Sequence, residues 1–95
     1  MKFNLEGGVW GGYFTEGTVE VNKKQYRVVF ESQKIPNPHG INNGRITFLF
    51  IGIPNHDKDS IDPYIPLLKY DYKWIVESTN KTIRSIFNTL LSQYN

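Results

Sequence analysis

The sequence contains no cysteine, so it can form neither a disulfide nor a thiolate metal site. It also has no long hydrophobic run, since no segment approaches the roughly 18 apolar residues that a membrane-spanning helix needs. Its start, MKFNLEGG, lacks the apolar stretch of a secretion signal. We therefore expect a cytoplasmic protein that does not enter a membrane.

The chain also has a low net charge of +2. Proteins that hold nucleic acid through many phosphates usually carry a strong basic patch, so the composition permits nucleic-acid binding without favouring it. Residues 1–95 fit a single domain, because chains divide into separate cores only at about two to three times this length. Aromatic side chains are abundant, at 15%, and each buries roughly 150–250 Å², which is enough for a thin core.

Alternating apolar and polar residues predict a small antiparallel sheet. Thr18–Asn22 and Tyr26–Phe30 alternate on either side of a short polar turn, which predicts a β-hairpin. Arg45–Ile53 is apolar on both faces after its first residues, which is typical of a central strand. Leu68–Val76 alternates along its whole length and predicts one long strand with an aromatic face and a charged face.

The two ends of the chain complete the predicted fold. Glycine pairs around Trp10 indicate two short edge strands, near Lys2–Glu6 and Val9–Phe14. An amphipathic helix of about four turns, with Ser78 or Thr79 as its N-cap, is predicted by apolar residues at helical spacing: Ile83, Ile86, Phe87, Leu90, Leu91 and Tyr94. The predicted class is α+β, with about four to six antiparallel strands packed against one C-terminal helix.

Three short motifs resemble a known family. They are Gly40–Ile46 (GINNGRI), Tyr70–Trp74 (YDYKW) and the terminal Tyr94-Asn95, and they follow the hairpin region Gly17–Phe30. Together they resemble an uncharacterised family of small proteins from phages and Gram-positive bacteria, with a GINGGRI-like loop and a Tyr-Asp-x-x-Trp strand. The resemblance covers roughly the last four-fifths of the chain. It implies a fold and a phage-like context, and it carries over no catalytic residue.

The chain departs from that family at three places. Asn43 stands where a glycine is usual, and Tyr72-Lys73 replaces an Arg-Gly pair. The glycine-rich start, through Phe14, is extra.

Few residues could carry catalysis or hold a metal. A nucleophile needs a base within hydrogen-bond reach, but the two histidines, His39 and His56, lie in polar loops without a recognisable partner at motif spacing. Counted from Asp57, the sixth and twelfth positions are Asp62 and Leu68, where a calcium loop needs glycine and glutamate. We expect no catalytic residue, no metal and no cofactor, and hence a protein that is not an enzyme.

The segment Ser32–Arg45 is the predicted binding site. Asparagine tolerates left-handed backbone, and the flanking glycines allow main-chain N–H groups to point outward, so the loop can cradle an anion with Arg45 as a bidentate partner. The alternative is a purely structural turn with Arg45 paired to Asp71 or Glu31. The predicted ligand-binding residues include two rings from the N-terminal segment: His39, Asn42, Asn43, Arg45, Trp10 and Tyr13.

Two further surfaces are open to interpretation. Lys81, Arg84 and Asn88 share one helix face and form either a secondary basic binding face or an ordinary solvated one. Tyr70, Tyr72 and Trp74 are either core residues or an exposed stacking platform. For Tyr72 and Trp74 we favour the core.

The expected function is that of a small phage-type binding protein acting by occupancy. Its expected partner is a host defence protein that it blocks, or a nucleotide-derived signal that it sequesters. The alternative is a single-stranded nucleic-acid-binding protein. Because glycine-rich sheet edges leave backbone groups unpaired, we also expect a homodimer, formed through an edge strand or through the aromatic surface around Trp10 and Tyr13.

Overall fold

A computed structural model describes residues 1–9 and 12–95, with the side chain of Val9 excepted. It confirms the predicted α+β class. The elements are β1 (Lys2–Val9), β2 (Phe14–Val21), β3 (Lys24–Ser32), β4 (Ile46–Pro54), β5 (Tyr64–Asp71), β6 (Trp74–Val76) and α1 (Lys81–Tyr94), with a short 3-10 turn at Ile41–Asn43. The six strands form one antiparallel sheet in which each strand pairs with its neighbour in sequence.

The predicted hairpin and central strand are both confirmed. Asn22 and Lys23 join β2 to β3 with φ values of 51° and 66°, the left-handed pair that suits the twist of a two-residue hairpin. Strand β4 lies between β3 and β5, and Leu49 is flanked by Phe30 on one side and Tyr70 on the other. All three side chains are buried, because the helix covers this face of the sheet.

Two strand predictions are wrong. The predicted edge strand at Lys2–Glu6 is present and continues to Val9 as β1. The second one, predicted near Val9–Phe14, is wrong at both of its ends, because Val9 closes β1 and Phe14 begins β2. Trp10 and Gly11, between those ends, lie outside the described residues. The long strand predicted at Leu68–Val76 is interrupted by a turn at Tyr72, which has a φ of 57°. The chain therefore reverses there and makes two strands of one predicted strand.

The same turn separates the three aromatic residues. Tyr70 and Trp74 are register partners across it, with ring centroids 5.2 Å apart, and the Trp74 ring lies 5.5 Å from that of Phe87 on the helix. Trp74 thus packs against the core as predicted. Tyr72 does not, because at the tip of the turn its side chain is 53% exposed.

The helix is confirmed and its predicted N-cap is wrong. Asn80 is the cap, since its side-chain oxygen accepts a hydrogen bond from the Ile83 N–H at 3.1 Å, while the Ser78 hydroxyl accepts one from the Asn80 N–H. The helix buries four side chains against the sheet, Ile83, Ile86, Phe87 and Leu90. No helix in the described part of the chain is long and apolar enough to cross a membrane.

The opposite side of the sheet, here called the open face, is not covered by the helix. Phe14, Val29, Phe48 and Phe50 lie on it, because they pair with one another and with polar residues across the strands. All four are half-buried. Among the described residues, the fully buried core therefore lies between the helix and the other face of the sheet.

Candidate functional site

One end of the sheet gathers most of the predicted site residues. At this end, called the loop end, the β3–β4 loop (residues 33–45) meets Tyr13 and the β5–β6 turn. The Ser32 N–H donates to the Tyr13 carbonyl at 3.1 Å, and the Tyr72 N–H donates to the Thr47 carbonyl at 3.0 Å. Trp10, also predicted for the site, lies outside the described residues.

The tip of the β3–β4 loop is a tight turn of the predicted left-handed kind. Asn42 and Asn43 have φ values of 53° and 57°, which confirms that asparagine takes left-handed backbone here. The N–H groups of Gly40, Asn43 and Gly44 donate within the loop at 2.9–3.0 Å. Because these three donors are already engaged within the loop, they are not available to an anion at the tip.

The last residue, Asn95, holds this turn in place from behind. Its side-chain oxygen accepts a hydrogen bond from the Ile46 N–H, and its amide nitrogen donates to the Ile41 carbonyl, both at 2.9 Å. A Cβ atom at Gly44 would clash with the Asn95 side chain, and one at Gly40 would clash with the Gly44 carbonyl. We call the Asn95 side chain the latch, since it bridges the two sides of the loop.

Two tyrosines add further support to the loop. The Tyr70 hydroxyl donates to the His39 carbonyl at 2.7 Å, and only 8% of the Tyr70 side chain is exposed. The Tyr94 carbonyl accepts a hydrogen bond from the Ser32 hydroxyl at 2.9 Å, and its ring lies 4.7 Å from that of Phe30. The loop is thus fixed to the core at its start, its middle and its end.

The outward side chains of the loop remain exposed. The His39 ring meets the Tyr72 ring edge to face, with centroids 5.8 Å apart and an interplanar angle of 84°. Arg45 uses its Nε to donate to the Gln33 carbonyl at 2.8 Å. Within the described ranges it makes no ion pair with Asp71 or Glu31, so its terminal nitrogens are accessible.

The predicted secondary basic face is remote from the loop end. Lys81, Arg84 and Asn88 are all exposed, and the Arg84 guanidinium lies 4.7 Å from the centre of the Phe87 ring. Because the helix rises about 1.5 Å per residue, its first turn lies about 20 Å from the latch at its other end. The structure therefore does not combine the two predicted faces into one site.

The acidic loop at residues 55–63 uses its side chains on its own backbone. The Asp57 carboxylate accepts from the Asp59 N–H at 3.0 Å, and the Ser60 hydroxyl accepts from the Asp62 N–H at 3.2 Å. Among the residues that the structure describes, no three histidine, aspartate or glutamate side chains come together to hold a metal ion.

A small cavity lies at the opposite end of the sheet. Its volume is about 130 Å³, and it is lined by Arg27, Tyr64 and their neighbours. The Arg27 guanidinium stands over the Tyr64 ring at 5.7 Å and is paired with Glu16 at 2.5 Å. Since ligand pockets usually measure about 300–1,000 Å³ and this cation is already neutralised, the cavity is a poor candidate for a ligand site.

Sequence reasoning missed two residues of the loop end, Tyr72 and Asn95. Tyr72 was expected in the core and instead stands beside His39 on the surface. The latch was not foreseen, although one signal was available: the GINNG loop and the terminal Tyr-Asn pair occur together in the resemblance. In this chain the two motifs are in contact, through the hydrogen bonds of the Asn95 side chain.

Comparison with known proteins gives one family match. The model of a domain of unknown function, DUF7678, matches residues 13–95, close to the extent predicted from the resemblance, and leaves β1 outside. No curated protein and no solved structure matches the chain. With the hairpin, the latched loop and the helix all inside the match, the chain belongs to the DUF7678 family.

Proposed function

We propose that this protein is a non-enzymatic binding protein, acting by occupancy, whose loop end holds an anionic, nucleotide-like molecule. One observation carries the proposal. The β3–β4 loop is fixed from behind by Asn95 and Tyr70, while His39 and Arg45 remain exposed on its outer side. A surface that is already ordered loses little conformational entropy on binding.

The exposed groups suit a nucleotide-like ligand. The terminal nitrogens of Arg45 can donate two parallel hydrogen bonds to a phosphate or carboxylate. The His39 and Tyr72 rings offer a surface on which a base can stack. Asn42 and Asn43, which lie between His39 and Arg45 in the sequence, are also exposed. Their side-chain amides can both donate hydrogen bonds to the edge of a base and accept them from it.

The biological setting comes from the resemblance noted above. We propose that the DUF7678 family is that family of small proteins of phages and Gram-positive bacteria, and that the protein acts in the cytoplasm of the host cell. Its role there would be anti-defence, through removal of a nucleotide-derived signal from solution. No chemical step on that signal is proposed, because occupancy alone would deprive a host receptor of it.

A second candidate function is the blocking of a host protein, and the open face favours it. The rings of Phe14 and Phe48 lie 6.0 Å apart on that face, and Phe50 and Val29 continue the apolar surface. Aromatic side chains are enriched among the residues that dominate protein interfaces. A partner on this face would depend on Phe48 and Phe50 rather than on Arg45, so the two candidates predict different sensitive residues.

The first experiment identifies the ligand. The protein is purified from a bacterial host and heat-denatured, and the released small molecules are analysed by mass spectrometry. Calorimetric titration with mononucleotides and cyclic dinucleotides then measures affinity. We expect a phosphate-bearing ligand to be released and to bind again. A protein that releases none and binds none of the panel would contradict the nucleotide proposal.

The second experiment tests the residue. Arg45→Ala should abolish binding while changing the unfolding free energy by no more than about 1 kcal/mol, because the side chain is exposed and makes one hydrogen bond. The matched control is Arg84→Ala, which removes the same side chain from the helix and should leave binding intact.

Three outcomes would redirect the assignment. Binding retained by Arg45→Ala and lost by Arg84→Ala would move the site to Lys81, Arg84 and Asn88. Loss of a host-protein interaction on changing Phe48, with Arg45 dispensable, would favour the second candidate. Oligonucleotide binding that falls steeply with salt would indicate counterion release and support a single-stranded nucleic-acid-binding protein.

A further inference from the structure

The outer edge of β1 is the longest unpaired strand edge of the sheet. β1 has eight residues and pairs with β2 on one side, while among the described residues no element pairs with its other side. The opposite edge of the sheet, β6, has only three residues. An edge with free N–H and C=O groups is a template for another strand, so β1 offers the better site for pairing.

The geometry of β1 limits how a second strand could join it. A bulge between Gly7 and Val9 interrupts the regular ladder, which confines regular pairing to the stretch before it. Along this stretch Phe3 and Leu5 pack toward the core, whereas Lys2, Asn4 and Glu6 lie on the open face. Residues directly opposite each other in an antiparallel pair share a face, so an added strand must match apolar with apolar and polar with polar.

A second copy of β1 meets this requirement in one register. With Asn4 opposite the partner's Asn4, Lys2 lies opposite the partner's Glu6, and Phe3 opposite the partner's Leu5. Each open-face charge then faces its opposite, and each apolar side chain faces another. Shifting the two strands by two residues in either direction keeps the faces matched and loses both charge pairs.

The surroundings of Glu6 within its own chain also favour this pairing of two β1 strands. Its register partner on β2 is Glu16, and like charges directly opposite each other are destabilising. Glu16 is itself paired with Arg27, which leaves Glu6 without a counter-charge among the described residues. The partner's Lys2 would supply one.

We propose that two copies of this chain form a homodimer through antiparallel β1–β1 pairing centred on Asn4, which joins their sheets into one continuous sheet. The symmetric contact closes both long edges at once and leaves only the short β6 edges free. Because β1 lies outside the DUF7678 match, the interface belongs to a segment that the family model does not cover. The dimer is independent of ligand binding at the loop end.

The first test reverses the charges of Lys2 and Glu6 and measures the mass of the protein in solution by light scattering at 100 µM. The unaltered protein should have twice the monomer mass of 11.1 kDa. Lys2→Glu and Glu6→Lys each create two like-charge pairs between the chains of a homodimer, so each should weaken dimerisation by at least about tenfold. Lys2→Glu also places a glutamate opposite Glu20 of its own chain, so recovery of the dimer by the mixture is the decisive result. Equal mixing of K2E and E6K restores opposite charges at both pairs and should recover the dimer.

The matched control is Lys58→Glu in the β4–β5 loop, which makes the same charge change at an exposed site and should not alter the mass. Circular dichroism checks that each variant remains folded. A monomer at 100 µM for the unaltered protein would overturn the proposal, as would a dimer that K2E leaves intact or a mixture of K2E and E6K that stays monomeric.

A disulfide test fixes the register. The chain has no cysteine, so Asn4→Cys introduces a single thiol, and opposite residues in antiparallel strands lie within the Cα separation that a disulfide spans. Under mild oxidation N4C should cross-link efficiently, whereas Lys2→Cys should not, because each Lys2 faces the partner's Glu6. Equal cross-linking of both variants, or none by N4C, would exclude this register.

Discussion

The two long loops of this domain are alike in polarity and differ in what holds them. The β3–β4 loop is bound by side chains far away in sequence, since its hydrogen bonds to Asn95 and Tyr70 span 31 to 54 residues. The side-chain hydrogen bonds of the β4–β5 loop span only two to seven residues. One loop is therefore part of the tertiary structure, and the other closes on itself.

This difference decides which loop can carry a fixed constellation of side chains. The β4–β5 loop orders its own backbone by local Asx-type bonds, which are exposed and lie within the loop itself. Movement of the β3–β4 loop away from the helix end would break its hydrogen bond to Asn95. A binding surface benefits from the second arrangement, because its outward groups keep their relative positions.

The largest expected effect comes from weakening the packing of the helix, which positions the Asn95 latch at its end. Leu90 is fully buried on the helix, so Leu90→Ala should lower the free energy of unfolding by about 2–5 kcal/mol in denaturant melts. Ile61 in the β4–β5 loop is the control, because it is 97% exposed and its change to alanine should cost less than about 0.5 kcal/mol. A Leu90→Ala loss below about 1 kcal/mol would contradict the packing of the helix.

The sharpest comparison is between Asn95→Ala and Asn55→Ala. Each side chain makes two hydrogen bonds to backbone groups, but those of Asn95 are part-buried and those of Asn55 are exposed. Loss of the latch removes the acceptor of the part-buried Ile46 N–H and one of the two hydrogen bonds to the Ile41 C=O, which still accepts from the Gly44 N–H. This change should cost about 1–3 kcal/mol. Loss of Asn55 should cost no more than about 0.5 kcal/mol, because water replaces its bonds.

Hydrogen exchange locates the effect of the Asn95 change. In Asn95→Ala the amides of Gly40, Asn43 and Gly44 should exchange faster, while those of the β4–β5 loop should be unchanged. Equal losses of stability in the two asparagine variants would mean that the distinction between the loops is not energetic.

The smallest expected effect concerns one hydroxyl group. Tyr70→Phe removes the hydrogen bond to the His39 carbonyl and should cost about 0.5–1.5 kcal/mol in thermal or denaturant unfolding. Tyr26→Phe is a close control, because Tyr26 has the same 8% exposure and its hydroxyl forms no hydrogen bond in the described part of the chain. A loss of similar size in both variants would show that the His39 contact adds nothing.

Much of the fold could be predicted because its signals are local. Helix α1, strand β4 and the β2–β3 hairpin each show their periodicity within one short segment. The β5–β6 turn left no such signal, because Tyr70 and Trp74 face each other across it and so keep the alternation of an unbroken strand. Tyrosine is also not one of the residue types that indicate a turn in a sequence, although Tyr72 has a φ of 57° here.

The candidate site could be predicted only in part, for a related reason. The positions of the β3–β4 loop and its left-handed asparagines follow from Gly and Asn at adjacent places in the sequence. That Asn95 would fill the space behind Gly44 depends on a contact across half the chain, which no local pattern encodes. The exposure of Tyr72 depends on the same β5–β6 turn that alternation concealed.

The topology also has a consequence for the order of folding. Every strand pairs with its sequence neighbour, so the sheet can form by successive closure of one loop at a time, and the entropic cost of closure rises only slowly with loop length. The hydrogen bonds that attach the chain terminus to the β3–β4 loop span 49 to 62 residues and require the helix to be docked first. Contacts that form after the rate-limiting step slow unfolding and leave the folding rate almost unchanged. Asn95 should therefore lengthen the lifetime of the folded state more than it speeds folding.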